Sequence, residues 1–478
     1  MNMTRRTAAK ALFVSAAGGL LLDRDSRALG ADASKAAEEI IRTEVCVIGA
    51  GSGGTGAALA AARAGAKVVL LERDSVLGGT ATNGLVCVWR PVIGAKGIPL
   101  DLFREMRRDP LGVSPSIEYD RTLLGPRTIQ GKQVKQTSVP FEPRAMDYAV
   151  RSLLDATGRC QTLLATTFCL ARMENDTLKS VEAWFAGKRM RIEADVFIDC
   201  TGDGDVCVDA GCEYRLGEDP KSLYGEPHAP EQAKIILNGL TLCYRMTDTG
   251  VKQKPYVPRG VDVGKCNISA CFDPLPNGDV VVNVVPMLPG NAVLCYEYSE
   301  LMRRANHLVL DHLFQLQTLP EDNIWSRKGT WKTWTISAIA PRIGIRETRR
   351  IVADYMLREN DIEAGVAKQA HNDVVAIADH CLDLHAPGIK NHDLEGPFGI
   401  PYRCLLPRGV KNLLVASRAA GFSHIAASSC RLQRTLITLG QAAGNAAALA
   451  VKHHVDPRGI DIAELQALLL SQGVDLHG

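Results

Sequence analysis

The clearest hydrophobic patterning lies between residues 44 and 72. Val45-Cys46-Val47-Ile48 is a short continuous apolar run, Thr55 to Arg63 is Ala-rich and helical in character, and Gly65 ends that helix. Lys67 to Leu71 then predicts a second strand, closed by Glu72. Strand, loop, helix and strand together make a βαβ unit. Further on, Pro143 to Thr157 predicts a helix, and Gln161 to Ile198 alternates apolar and polar positions as a β-meander does. Asp279 to Val285 is a β-branched strand, and Tyr298 to Gln317 is helical. Asn412 to Ala416 predicts a strand, followed by an Ala/Gly-rich helix through Leu449. The stretch 91–142 is rich in Gly, Pro and Arg and has weak periodicity.

The loop after the first strand reads Gly49-Ala50-Gly51-Ser52-Gly53-Gly54, with Gly-x-Gly-x-x-Gly at Gly49, Gly51 and Gly54. Gly49 permits a tight turn, Gly51 lets the backbone approach a pyrophosphate, and Gly54 lets helix and strand pack closely. The helix N-terminus offers free N–H groups to the phosphates. Glu72 falls about twenty residues later, where an acidic side chain accepts hydrogen bonds from ribose hydroxyls. The context, more than the glycines, predicts a dinucleotide site.

Beyond that unit the chain resembles a flavoprotein. Gly78-Gly79-Thr80 resembles the flavoprotein continuation of the fingerprint, and Ala194 to Asp205, with Thr201-Gly202-Asp203, resembles the Thr-Gly-Asp strand of two-dinucleotide-fold flavoproteins. Asn412 to Ala416 and Gly440-Gln441-Ala442-Ala443-Gly444 resemble the strand and helix that close such a domain. With Pro341 to Arg350 and Ile400-Pro401-Tyr402-Arg403, the chain is similar to the FAD-dependent oxidoreductase family, from about residue 43 to 452. The resemblance implies an α/β fold: a glutathione-reductase-like, Rossmann-like FAD-binding domain with a β-meander and an inserted α+β substrate domain. It implies FAD held by Gly49, Gly51, Ser52, Gly53, Gly54, Glu72, Arg73, Gly79, Thr80, Thr201, Gly202, Asp203 and Gly440. We assign 40–90, 143–215 and 336–455 to the FAD domain and 91–142 with 216–335 to a substrate cap. A helical tail, 456–478, follows. One departure concerns the motif His-x-x-His-Ser-Ser-x-Arg of such relatives. Here the first His is His424, and Ala427 replaces the second.

A flavin dehydrogenase needs a C–H bond held against the ring and a base for the accompanying proton. His424 is the expected base; the alternative is a structural histidine bonded to backbone. Arg342, Arg346 and Arg349 are spaced i, i+4, i+7 and fit one helical face. They are expected either to grip an anionic substrate or the FAD pyrophosphate, to balance charge on the reduced flavin, or to pair with Glu347, Asp354 and other acids at a domain seam. Arg342 and Arg346 are carried as catalytic candidates beside His424, while Tyr402 and Arg403 are weaker ones. Trp331-Lys332-Thr333-Trp334 departs in spacing from a flavin halogenase motif. Neither His453-His454 nor Asp203 with Asp205 predicts a metal. With no second Gly-x-Gly-x-x-Gly, electrons are expected from a small polar substrate. They would leave to an external acceptor: a quinone, a soluble carrier or oxygen. A flavin-dependent reductase, or a non-redox isomerase or lyase, is the alternative.

Composition narrows the partners. Of 478 residues 46% are hydrophobic, so whole-chain disorder is excluded, and a net charge of +2 gives no general attraction to nucleic acid. No apolar run reaches the roughly 20 residues of a membrane-spanning helix. The first thirty residues stand apart: Arg5-Arg6 and Lys10 precede the apolar stretch Ala11 to Leu22, and Ala28-Leu29-Gly30-Ala31 offers a cleavage site. That layout resembles a twin-arginine (Tat-type) signal, which predicts export to the periplasm or beyond and a mature chain starting near residue 31. Residues 1–30 hold five of the 55 basic and two of the 53 acidic side chains, so the slight positive balance belongs to this leader. The 14 cysteines form no Cys-x-x-Cys pair, and several, such as Cys46, Cys169 and Cys200, read as buried small hydrophobes.

Overall fold

In the computed structural model, the described residues are 39–90, 95–117, 127–129, 132–134, 138–255, 257, 269–284, 289–384 and 393–477. The expected signal segment lies outside them. Residues from Ile40 onward form one compact unit, and of the preceding unit only Glu39 is described.

The first βαβ unit has strand β1 (Glu39–Ile48), helix α1 (Ser52–Arg63) and strand β2 (Val68–Leu71). β1 and β2 run parallel, with Val45 opposite Val68 and Ile48 opposite Leu71. All four residues of β2 are buried, as a strand covered on both faces requires. Helix α2 (Pro143–Asp155) leads to β3 (Cys160–Leu163), which extends the sheet parallel to β2. The meander is β4 (Thr167–Glu174), β5 (Thr177–Phe185) and β6 (Lys188–Asp199). The sheet order is β3-β2-β1-β6-β5-β4. Cys46 and Cys200 are buried as expected, but Cys169 is exposed, because β4 is an edge strand whose alternate side chains face outward. Within 91–142, Ile98–Met106 is helical, its first turn tolerating Pro99 because that N–H needs no helical acceptor.

A second sheet has its own core. Its strands are β7 (Tyr244–Asp248), β8 (Ala270–Pro274), β9 (Val280–Val284) and β10 (Trp334–Ile339), in the order β8-β9-β7-β10. Helix α3 (Cys295–Thr318) precedes β10. α3 buries Leu301, Ala305, Val309, Leu313 and Leu316 against Tyr244, Val282, Trp331 and Trp334. These positions recur every three or four residues, one stripe of the helix.

The chain then returns to the first sheet. β11 (Leu413–Val415) pairs in parallel with the end of β6, Asp199 facing Val415. Helices α4 (His424–Cys430), α5 (Gln433–His453) and α6 (Ile462–Ser471) complete the described chain. α5 is buried along nearly its whole length and lies against α1. Their contact depends on missing side chains: a Cβ on Gly440 would come 1.9 Å from the Gly53 carbonyl oxygen, and one on Gly444 2.2 Å from that of Ala57.

Candidate active site

The loop at the end of β1 is fixed from several directions. Gly49 has φ +94, and a Cβ there would come 2.6 Å from the Cys200 carbonyl oxygen. Gly54 faces the Gly49 carbonyl at 1.7 Å in the same sense, and Gly53 faces that of Ala416 at 1.7 Å. Gly51 is the exception: a Cβ there would meet nothing within 4 Å. It points into a cavity of about 170 Å³ that also exposes Ser52, Gly79, Thr80, Thr201 and Gly202. The N-terminus of α1 has no side-chain cap, so its first N–H groups are left for an anion at the cavity wall. Glu72 lines the same cavity. One carboxylate oxygen accepts from Ala50 N (2.7 Å) and the other from Asp74 N (2.9 Å). Burial raises its pKa, while those backbone donors act in the opposite direction. Each oxygen keeps a further lone pair for a hydroxyl donor. A Gly-lined approach, an uncapped helix end and an acid beyond β2 are the donors and acceptors that an adenine dinucleotide such as FAD requires.

A larger cavity of about 620 Å³ adjoins it. The two share Ser52, Thr80, Ile345, Arg418 and Leu436 as lining. Its other walls include Arg90, Thr241, Asp273, Arg346, His380, Asp383 and Arg431. Arg90 meets both oxygens of Asp273, at 3.1 and 3.3 Å. Arg418 is held by Asp203, which also accepts from Thr348. Arg431 donates to Asp383 (2.6 Å), whose carboxylate also stands 3.7 Å from His380 Nε2.

The expected site residues distribute unevenly. Gly49, Gly51, Ser52, Gly53, Glu72, Arg73, Gly79, Thr80, Thr201 and Gly202 all line the smaller cavity. Gly54 packs behind it, and Asp203 reaches it only through Arg418. Gly440 lines neither cavity; its place is the α1–α5 contact, where a side chain has no room. Residues 341–350 form no helix, so the arginines do not share a helical face. Gly344 instead exchanges backbone hydrogen bonds with Thr241 (2.7 and 3.0 Å), and this pairing keeps the segment extended. Arg342 pairs with Asp74 at the smaller cavity, Arg349 pairs with Asp205, and Arg346 faces the larger cavity.

His424 lines neither cavity. Its ring Nδ1 lies 2.9 Å from Glu347, and its backbone N–H donates to Asp219 (2.9 Å). Arg350, fully buried, joins the same two acids. Tyr402 donates to the Pro457 carbonyl and Arg403 pairs with Asp373, both away from the cavities. Sequence reasoning missed Arg90, Asp273, His380, Asp383 and Arg418. The polar burst Asp379-His380-Cys381-Leu382-Asp383, straight after the apolar Val374–Ala378 strand, was the available signal. Among the described residues, no three His, Cys, Asp or Glu side chains are arranged to hold a metal ion, and no helix is long and apolar enough to cross a membrane.

Comparison with known proteins adds a family. The model for FAD dependent oxidoreductase matches residues 44–469. No curated protein matches the chain. Similar solved structures include a geranylgeranyl bacteriochlorophyll reductase-like protein from Thermoplasma acidophilum, at 13% identity and TM-score 0.42, covering 92% of this chain and 85% of that one. A p-nitrophenol 4-monooxygenase from Pseudomonas putida gives 11% identity, TM-score 0.41 and coverage of 91% and 81%. A flavin-dependent brominase gives 10% identity, TM-score 0.45 and coverage of 90% and 84%. The family match spans both the dinucleotide loop and the walls of the larger cavity, and the chain belongs to the FAD dependent oxidoreductase family.

Proposed function

We propose that the protein oxidises a small polar molecule bound in the larger cavity and passes the electrons to an external acceptor: a quinone, a soluble carrier or oxygen. The supporting observation is that the two cavities share Ser52, Thr80, Ile345, Arg418 and Leu436 as lining. A molecule in the larger cavity thereby lies next to the site suited to the dinucleotide. FAD, when bound, supplies a two-electron acceptor at N5 of its ring. The chain supplies the rest. The α1 N-terminus receives the pyrophosphate, Glu72 the ribose, and Arg418, fixed by Asp203, sits at the junction of the two cavities. The base must reach the substrate within hydrogen-bond distance. His380 lines the cavity and is our candidate for that role, whereas His424 does not line it.

The test is anaerobic flavin bleaching of purified holoprotein by a panel of sugars, polyols and organic acids. Bleaching without an added donor supports the reading. Product formed with no net flavin reduction would replace oxidation by isomerase or lyase chemistry, and a requirement for an external donor would replace it by reductase chemistry. Residues 1–30 are proposed to direct export by the twin-arginine route. N-terminal sequencing of native exported protein should begin near residue 31, and a retained Met1 overturns that route.

A further inference from the structure

Every arginine of the larger cavity named above has an acidic partner except one. Arg90 has Asp273, Arg418 has Asp203 and Arg431 has Asp383. Arg346 donates through Nη1 only to neutral oxygens, Gly239 O (3.0 Å) and Thr241 Oγ1 (2.8 Å), and among the described residues it makes no ion pair. Its Nε is buried without a hydrogen-bond partner, as is the Nε of Arg431. Arg346 is half-buried: it lines the cavity while its Nε is closed off by protein. Loss of water pulls its pKa from 12.5 down to about 9, and the nearby Arg431 acts in the same direction. Keeping a partly desolvated charge without an ionic partner is costly, which makes the site receptive to an anion.

Resting on the reading above that the protein oxidises its substrate, we propose that Arg346 and Arg431 receive the carboxylate of a small organic acid that carries an oxidisable hydroxyl. His380, backed by Asp383, accepts the hydroxyl proton. Charge sets the class of anion. Asp383 already neutralises Arg431, and the two further lining charges, Arg434 and Asp393, are of opposite sign, so Arg346 leaves one positive charge, which one carboxylate balances. A phosphate dianion would leave surplus negative charge beside Asp383. A planar carboxylate also fits guanidinium edges that have unused N–H donors. In the reaction, the hydroxyl-bearing C–H bond breaks and its hydrogen leaves with the electron pair as a hydride, which FAD, when bound, would accept. The O–H proton goes to His380, and the C–O bond becomes a carbonyl. Burial holds His380 below the ordinary histidine pKa despite Asp383, so the ring is neutral and able to accept.

The experiment titrates oxidised holoprotein with propionate, which has no hydroxyl to oxidise, and follows the flavin absorption spectrum together with Tm. Propionamide and inorganic phosphate are the neutral and dianionic comparisons. Saturable binding of propionate alone is expected. Arg346→Gln and Arg431→Gln should each raise the propionate Kd about 10- to 100-fold at unchanged flavin content. Arg346→Lys should recover part of that loss. His380→Gln should leave the propionate Kd unchanged while slowing bleaching by hydroxy acids about 100-fold. Propionamide binding as well as propionate, phosphate binding in its place, or an unchanged Kd in Arg346→Gln overturns the proposal. If Arg346→Gln loses flavin or Tm, the Arg431→Gln and Arg346→Lys titrations decide. Failure of the underlying reading looks different: propionate binds, yet no hydroxy acid bleaches the flavin.

Discussion

Gly51 and Gly53 stand two residues apart, and opposite constraints exclude a side chain from each. A methyl on Gly53 has nowhere to go, since Ala416 O lies 1.7 Å from its position; a methyl on Gly51 enters open cavity. Gly53→Ala should therefore destabilise the fold by about 1–3 kcal/mol or more, seen as a lower Tm of the apoprotein. Gly51→Ala should keep the apoprotein Tm and lower flavin content, because only the approach of the pyrophosphate is obstructed. The reverse pattern would show that the cavity is not where the dinucleotide lies. This loop was legible in the sequence because its constraints are local: turn, helix start and adjoining strands fall within thirty residues. The role of Gly53 was less so, since its obstacle is a carbonyl more than 360 residues away. His424 is harder still. Its motif marks a position, but only tertiary packing shows the ring against Glu347 and outside both cavities. His424→Ala should accordingly lower Tm. A variant that kept its Tm and flavin yet lost substrate bleaching would restore the imidazole as the base.

Among the elements, the parallel strands and the long helices follow from hydrophobic period, whereas residues 341–350 show where period misleads. Arg342, Arg346 and Arg349 repeat as a helix would, but the segment binds outward to four separate places. Asp74, Thr241, Asp205 and Asp219 draw Arg342, Arg346, Arg349 and Arg350 in turn, and an extended chain reaches partners that a helical face would not. Period reports on burial of apolar faces, and these positions are polar. The α1–α5 contact carries the converse lesson. The glycines at this contact cost helix propensity, yet they allow the backbones to approach closely. Gly444→Ala would place a Cβ 2.2 Å from Ala57 O. The helices must separate, so Tm should fall by several degrees. Flavin should also dissociate more readily, because the displaced helix carries the cavity's N–H groups. Flavin retention at wild-type affinity in a variant of lowered Tm would show that the α1 N-terminus does not depend on this packing.

At the scale of the molecule, a buried charge network ties distant parts of the chain together. Arg350 joins Asp219 (2.8 Å) and Glu347, and His424 joins the same two acids from the start of α4. Asn238 adds two donors to Glu347 (3.0 and 2.8 Å). No sequence pattern announces such a network, since its members lie in segments around 219, 238, 347 and 424. It also fixes a pH dependence. Burial alone would push Glu347 up, but His424 and Arg350 outweigh it and hold its pKa at about 2, against 4.5 for the free group. A folded-state pKa below the unfolded one means the contribution is full above about pH 4.5 and disappears as pH falls toward 2. Glu347→Gln should cost about 3 kcal/mol at neutral pH, because Arg350 and the His424 ring lose a carboxylate inside the protein while Asp219 remains beside Arg350. The variant should also lose less further stability than wild type between pH 4.5 and 2. Tm measured across that range on both proteins is the check. Parallel Tm–pH curves, offset by a constant amount, would mean that Glu347 contributes through packing and not through its charge.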